Sequence, residues 1–154
     1  MNNEESNKTI EILLVEDNPA DIRLAQEAFK DAKVRNILHT VGDGVEAMAF
    51  LRRQGKYADV ARPDLILLDL NLPRTDGRDV LTRIKTDQHL RGIPVIILTT
   101  SSTDTDILRA YQLGANCHVS KPVGLDDFLR AIHGIENLWL NPARLPAYSP
   151  HDIL

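Results

Sequence analysis

The stretch "LILLDLNLPRTDG", Leu65 to Gly77, decides the fold. Its first six residues are apolar except for one, the pattern of a strand buried on both faces. The exception is Asp69, almost at the end of the run, and Asn71, Pro73 and an Asp76-Gly77 turn follow it. A charge at such a place is costly unless something pairs with it or it is put to work.

Working outward, the same grammar repeats. "IEILLVEDN" (Ile10 to Asn18) is an apolar run ending in two acids, and Asn18-Pro19 then opens a helical pattern with Ile22, Ala25, Phe29 and Ala32 on one face. "ILHTV" (Ile37 to Val41) reads as a strand, and Asp43-Gly44 leads into a helix through "VEAMAFLRRQG" that stops at Gly55. "KYADVARP" is a loop longer than a tight connection needs. After the strand Leu65–Leu70, helical spacing runs from Gly77 to about Asp87. "IPVIILTTSS" (Ile93 to Ser102) is a fourth strand that turns polar at its end. A helix from about Asp104 to Leu113 closes at Gly114, "CHVS" (Cys117 to Ser120) is a fifth strand, and "LDDFLRAIHGIENLWL" is a long last helix. Strand and helix alternate, which predicts an α/β fold: a doubly wound, five-stranded parallel sheet of flavodoxin-like order 2-1-3-4-5 with five helices.

A chain of 154 residues, 43% hydrophobic, suits one domain, here 10–140, with a disordered polar tail expected at 1–9 and a Pro-rich tail at 141–154. The net charge of -4 and the scattered Lys and Arg residues give no footprint for nucleic acid. Cys117 is the single cysteine, so neither an internal disulfide nor a cysteine-based zinc site is available, and a reducing cytoplasm is the expected setting. No apolar stretch is long enough to span a membrane, and "MNNEESNKT" does not resemble a signal peptide.

In a doubly wound sheet the C-terminal ends of the strands open on one edge, and ligands bind where the strand order reverses. The polar strand ends therefore converge there: Glu16 and Asp17 from the first strand, Asp69 from the third, Thr99 from the fourth, and Lys121-Pro122 directly after the fifth. Clustered carboxylates persist as anions only with a cation among them, and an all-oxygen donor set suits Mg²⁺. With Mg²⁺, the Thr99 hydroxyl and the Lys121 ammonium would hold a phosphoryl group on Asp69, which reads as a nucleophile for phosphorus. Asp43, Asp76 and Asp104 read instead as helix caps or turn residues.

The motifs "LLVEDN", "LLDLNLPRTDG", "IPVIILTTSS" and "VSKP", in that order between about Ile10 and Gly134, resemble the response-regulator receiver domain of two-component signalling. The resemblance implies Asp69 as phosphoacceptor, Asp17 as a direct Mg²⁺ ligand, Glu16 acting through water, and Asn71 giving its backbone carbonyl to the metal. It implies Thr99 turning inward to the phosphoryl group, Lys121 pairing with it, and a cis peptide before Pro122. Two positions depart from the family pattern. Thr100 stands where a smaller residue is usual, and His118 replaces the usual Tyr or Phe, so that it either switches inward on activation or simply faces solvent. "KYADVARPDLILLDLNLPRTDGRDVL", "LTTSS" and "GIENLWLNPARLP" resemble the small single-domain regulators paired with cyanobacterial and bacterial phytochromes. That likeness implies a phytochrome histidine kinase as phosphodonor, and with no room expected for an output domain after Leu140, output is expected through protein contacts.

Two other classes fit less well. An aspartyl-phosphate hydrolase looks for a second Asp two residues after the nucleophile, where this chain has Asn71. A nucleotide- or flavin-binding module wants a Gly-rich loop after the first strand, and "VEDNPAD" has no glycine. Finally, Phe128, Leu129, Ile132, Ile135, Leu138 and Trp139 form an apolar stripe on the last helix. Either the tail folds back over it, or Leu138, Trp139 and Leu140 are exposed as a contact surface. The second reading is preferred, as a homodimer on the face of the last two helices and the fifth strand, which receivers resemble one another in using.

Overall fold

The computed structural model describes residues 9–72, 76–99, 112, 114, 115, 117–120 and 125–135. Five strands, β1 (Ile10–Val15), β2 (Asn36–Val41), β3 (Leu65–Asp69), β4 (Val95–Thr99) and β5 (Cys117–Ser120), form one parallel sheet in the order β2-β1-β3-β4-β5. The expected flavodoxin-like order is the observed one. The α-helices among the described residues are α1 (Pro19–Lys30), α2 (Gly44–Leu51), α3 (Gly77–Thr86) and α4 (Leu125–Ile135).

The near-continuous apolar runs of β1, β3 and β4 are explained by burial on two sides. Leu13, Val15, Ile66, Leu68, Val95 and Ile97 face the layer that holds α2 and α3, where Ala47, Phe50, Val80, Leu81 and Ile84 complete the core. Ile12, Leu14, Leu65, Leu67, Ile96 and Leu98 face Ala25, Ala28 and Phe29 of α1 and Ile132 of α4. Each fully buried Leu or Ile contributes roughly 2 kcal/mol of transfer free energy, so this alternation also pins the register: a slip by one residue would exchange the two cores.

Local chemistry sets the helix starts as the sequence predicts. The side chains of Asn18, Asp43 and Asp76 accept hydrogen bonds from the first-turn amides of α1, α2 and α3. Several boundaries differ. β2 begins at Asn36, one residue early, because its side-chain amide donates to the Phe29 and Val34 carbonyls (2.9 Å each) while its backbone pairs with Ile10. β4 begins at Val95 rather than Ile93, whose N–H is used in a turn onto the Leu90 carbonyl (2.9 Å).

The largest difference is in α2, which ends at Leu51 and not at Gly55. Arg53 takes the left-handed conformation (φ 55°), its N–H bonds the Phe50 carbonyl (3.1 Å), and the Gln54 N–H bonds the Ala49 carbonyl (2.9 Å). That is a Schellman cap with an arginine in the place usually held by glycine. Gly55 instead opens a short 3₁₀ turn, Gly55–Tyr57, inside the segment read as loop. The helix expected over Asp104–Leu113 lies outside the described residues apart from helical Gln112. Gly114 has φ 105°, a left-handed conformation that favours glycine. The cis peptide expected at Pro122 and the extension of the last helix to Leu140 also lie outside the described residues.

Candidate functional site

The site is built from two adjoining strand ends. Val15 is the register partner of Leu68, so the residues that follow, Glu16 and Asp69, come side by side at the C-terminal edge of the sheet. The Glu16 carboxylate folds back over the turn into α1, where its Oε2 accepts from the backbone N–H groups of Asp17 (3.0 Å) and Asn18 (3.1 Å). These two backbone donors partner a carboxylate that is only 1% exposed. Asp17, the next residue, is exposed.

Asp69 is likewise 1% exposed, and its Oδ1 accepts from the Asn71 N–H (2.9 Å), which wraps the chain after β3 around the carboxylate. One carboxylate oxygen from each of Glu16, Asp17 and Asp69 lies within 4.8 Å of the others. At that separation two unit charges repel by about 3.5 kcal/mol at an effective dielectric constant of ~20, and by about 1 kcal/mol in water. Two buried acids and one open to solvent form a donor set of hard oxygens that suits a divalent cation of the Mg²⁺ or Mn²⁺ kind, and the open side would leave room for its waters.

The structure thus brings together Glu16, Asp17 and Asp69, with the Asn71 backbone against Asp69. Thr99 ends β4 on the same edge, one residue after Leu98, the register partner of Asp69. β5 ends beside it at Ser120, paired with Thr99, and the backbone of His118 pairs with Ile97. Lys121, Pro122, Thr100, Leu138, Trp139 and Leu140 lie outside the described residues.

Residues 12–133 match a family model described as the response regulator receiver domain. The chain belongs to that family. As a receiver it is 48% identical over 144 residues to response regulator Rcp1 of Synechocystis sp., an alignment covering 94% of this chain and 98% of Rcp1. A structure of Rcp1 in its Mn²⁺-bound form superposes with a TM-score of 0.80 at 48% identity, over 90% of this chain and 99% of that one. The phosphorylated cyanobacterial phytochrome response regulator RcpA superposes with a TM-score of 0.83 at 51% identity, over 91% of this chain and all (100%) of that one. More distantly, the magnesium-bound receiver domain of the sensor histidine kinase PA1611 from Pseudomonas aeruginosa gives a TM-score of 0.67 at 28% identity, over 86% of this chain and 98% of that one. This receiver is therefore a response regulator of two-component signalling. Among its described residues no helix is long and apolar enough to cross a membrane.

Sequence reading missed two residues near this edge and behind it. Gly77, read as part of a turn, stands so close to the backbone of Asp69 and Leu70 that a Cβ there would collide with it. Lys85, on α3, donates from Nζ to the carbonyls of Ile93 (2.9 Å) and Arg91 (3.2 Å), and burial pushes its ammonium below the ordinary lysine range. Neither the tight contact nor the long-range lysine bonds have a local sequence signal beyond the Asp76-Gly77 pair itself.

Proposed function

We propose that this receiver takes a phosphoryl group on Asp69 from the phosphohistidine of a histidine kinase, in the presence of Mg²⁺, and signals by changing its protein contacts. The observation that carries this reading is the buried carboxylate of Asp69 at the tip of β3, within 4.8 Å of the oxygens of Glu16 and Asp17. In the transfer, a carboxylate oxygen of Asp69 forms the new bond to phosphorus as the P–N bond breaks, the bonding pair stays on that nitrogen, and the donor ring, protonated beforehand on its other nitrogen, leaves as neutral imidazole. Glu16, Asp17, Asp69 and the Asn71 carbonyl would hold Mg²⁺, which when bound supplies positive charge to the phosphoryl oxygens. Asn71 orients the nucleophile through its N–H. Thr99 and Lys121 are assigned as the donor and the cation for the transferred group, with Thr99 and His118 reporting its presence towards β5.

A phytochrome kinase is the assigned phosphodonor, supported by the likeness to Rcp1 and RcpA, and the cytoplasm the assigned compartment. The chain participates in its own phosphorylation and dephosphorylation without turning over a separate substrate. Output through a homodimer that uses Leu138, Trp139 and Leu140 completes the proposal. Incubation with acetyl phosphate and Mg²⁺ followed by intact-mass measurement tests it. One phosphoryl adduct is expected on the wild-type chain, none with EDTA and none on Asp69→Asn. Equal modification of Asp69→Asn would refute the assignment.

A further inference from the structure

We infer that Gly77 is a positioning residue for phosphoryl transfer: the absence of a side chain there lets the start of α3 close against β3 and so sets where Asp69 stands relative to Glu16 and Asp17. This inference rests on the reading of Asp69 as the phosphoryl acceptor.

The geometry is specific. Gly77 is the first residue of α3, it is buried, and its N–H donates to the Leu70 carbonyl (3.2 Å). A Cβ at this position would lie 2.5 Å from the carbonyl oxygen of Asp69, 2.6 Å from the α-carbon of Leu70 and 3.1 Å from its carbonyl carbon. All three are backbone atoms, so no side chain can swing aside. Restoring ordinary van der Waals separation needs a displacement of roughly 1 Å between the helix start and the strand end. The first atom in the way is the carbonyl oxygen of Asp69 itself.

Conformation does not explain the glycine. Gly77 is not among the residues with positive φ, and alanine is intrinsically the better residue inside a helix. The demand is one of contact alone. Glu16 and Asp17 follow β1 and are held by the turn into α1, whereas the three atoms nearest a Cβ at Gly77 all belong to Asp69 and Leu70, so a displacement that starts there acts first on the nucleophile. Because in-line transfer depends on placement, an error of about 1 Å can lower a rate on the order of 10²-fold.

The sheet supplies its own control. Gly42 follows β2 at the same edge and also lacks a positive φ, yet a Cβ there would meet nothing within 4 Å. Gly77→Ala and Gly42→Ala should therefore diverge.

The test measures the rate of phosphorylation by acetyl phosphate at saturating donor and saturating Mg²⁺ in the full chain, alongside the melting temperature. Gly77→Ala is expected to react about 10- to 100-fold more slowly than wild type while remaining folded, and Gly42→Ala at the wild-type rate. Leu51→Ala, a core truncation at the far end of α2, controls for lost stability: it should lower the melting temperature and leave the rate unchanged. If Gly77→Ala fails to fold, it is remade with Arg53→Gly, a stabilising change far from the site. Failure in that background too overturns the inference, since the glycine is then a requirement of the fold. A Gly77→Ala protein at the wild-type rate overturns it as well, as does a rate deficit equalled by Leu51→Ala. A wild-type chain that takes no phosphoryl group overturns the acceptor reading and this inference together, a result distinct from either of those.

Discussion

Asp17→Asn should make the protein more stable without metal and less responsive to it. Asp17 is the exposed member of the three-carboxylate cluster, with an oxygen within 4.8 Å of oxygens on buried Glu16 and Asp69. Each of its two repulsions is bounded by about 3.5 kcal/mol at an effective dielectric constant of ~20 and about 1 kcal/mol at that of water. Solvent on one side moves the result towards the lower value, so relief of both amounts to about 2 kcal/mol. For a chain of 154 residues that corresponds to a melting temperature higher by roughly 4–8 °C. In saturating Mg²⁺ the order reverses. Wild type gains RT ln(1 + [L]/Kd), about 2.7 kcal/mol at a hundredfold excess over Kd, while the variant has lost a ligand and gains less. Urea unfolding in EDTA and in Mg²⁺ shows the crossing directly. A variant several kcal/mol less stable in EDTA would mean that Asp17 is half of a structural pair. Equal Mg²⁺ stabilisation of both proteins would mean that it is no ligand.

Three further outcomes are expected. Arg53→Gly removes the left-handed strain at the end of α2 and should raise stability by about 0.5–1 kcal/mol, read by urea unfolding; an unchanged midpoint would contradict the cap geometry. Burial pushes the Tyr57 hydroxyl above its ordinary pKa of 10.0, helped by its hydrogen bond to Glu46. Because the unfolded chain then ionises first, the stabilisation is complete below pH 10 and is lost above it. Wild type should therefore lose stability relative to Tyr57→Phe between about pH 10 and the raised value, and parallel pH profiles would refute this. Truncation after Gly134 should turn a dimer into a monomer in sedimentation equilibrium, with phosphorylation tightening the full-length dimer; monomeric behaviour of both chains in both states removes the dimer from the account.

What the sequence shows and what it conceals follow from the range of the interactions. Asn18, Asp43 and Asp76 were readable as caps because a cap bonds amides two or three residues away. The sheet order was readable because apolar runs ending in Glu16, Asp17 and Asp69 have one economical arrangement, with the charges gathered at one edge. The end of α2 was not, since Arg53 adopts a conformation that its residue type disfavours and Gly55 offered a better apparent stop. The role of Gly77 was hidden for another reason: its contact is with Asp69 and Leu70 across the fold, and a turn glycine and a packing glycine look alike in one sequence. The bonds from Lys85 to Arg91 and Ile93 were hidden similarly, behind a position that looks like any basic residue near a helix end.

The most direct test of the central claim is to locate the phosphoryl group chemically. The phosphorylated chain would be reduced with borohydride, which converts an aspartyl phosphate to homoserine, then digested and sequenced by mass spectrometry. The account predicts homoserine at position 69 and at no other acid, with its yield dependent on Mg²⁺. Homoserine at position 17, or a phosphoryl group that survives reduction on a histidine, would contradict it.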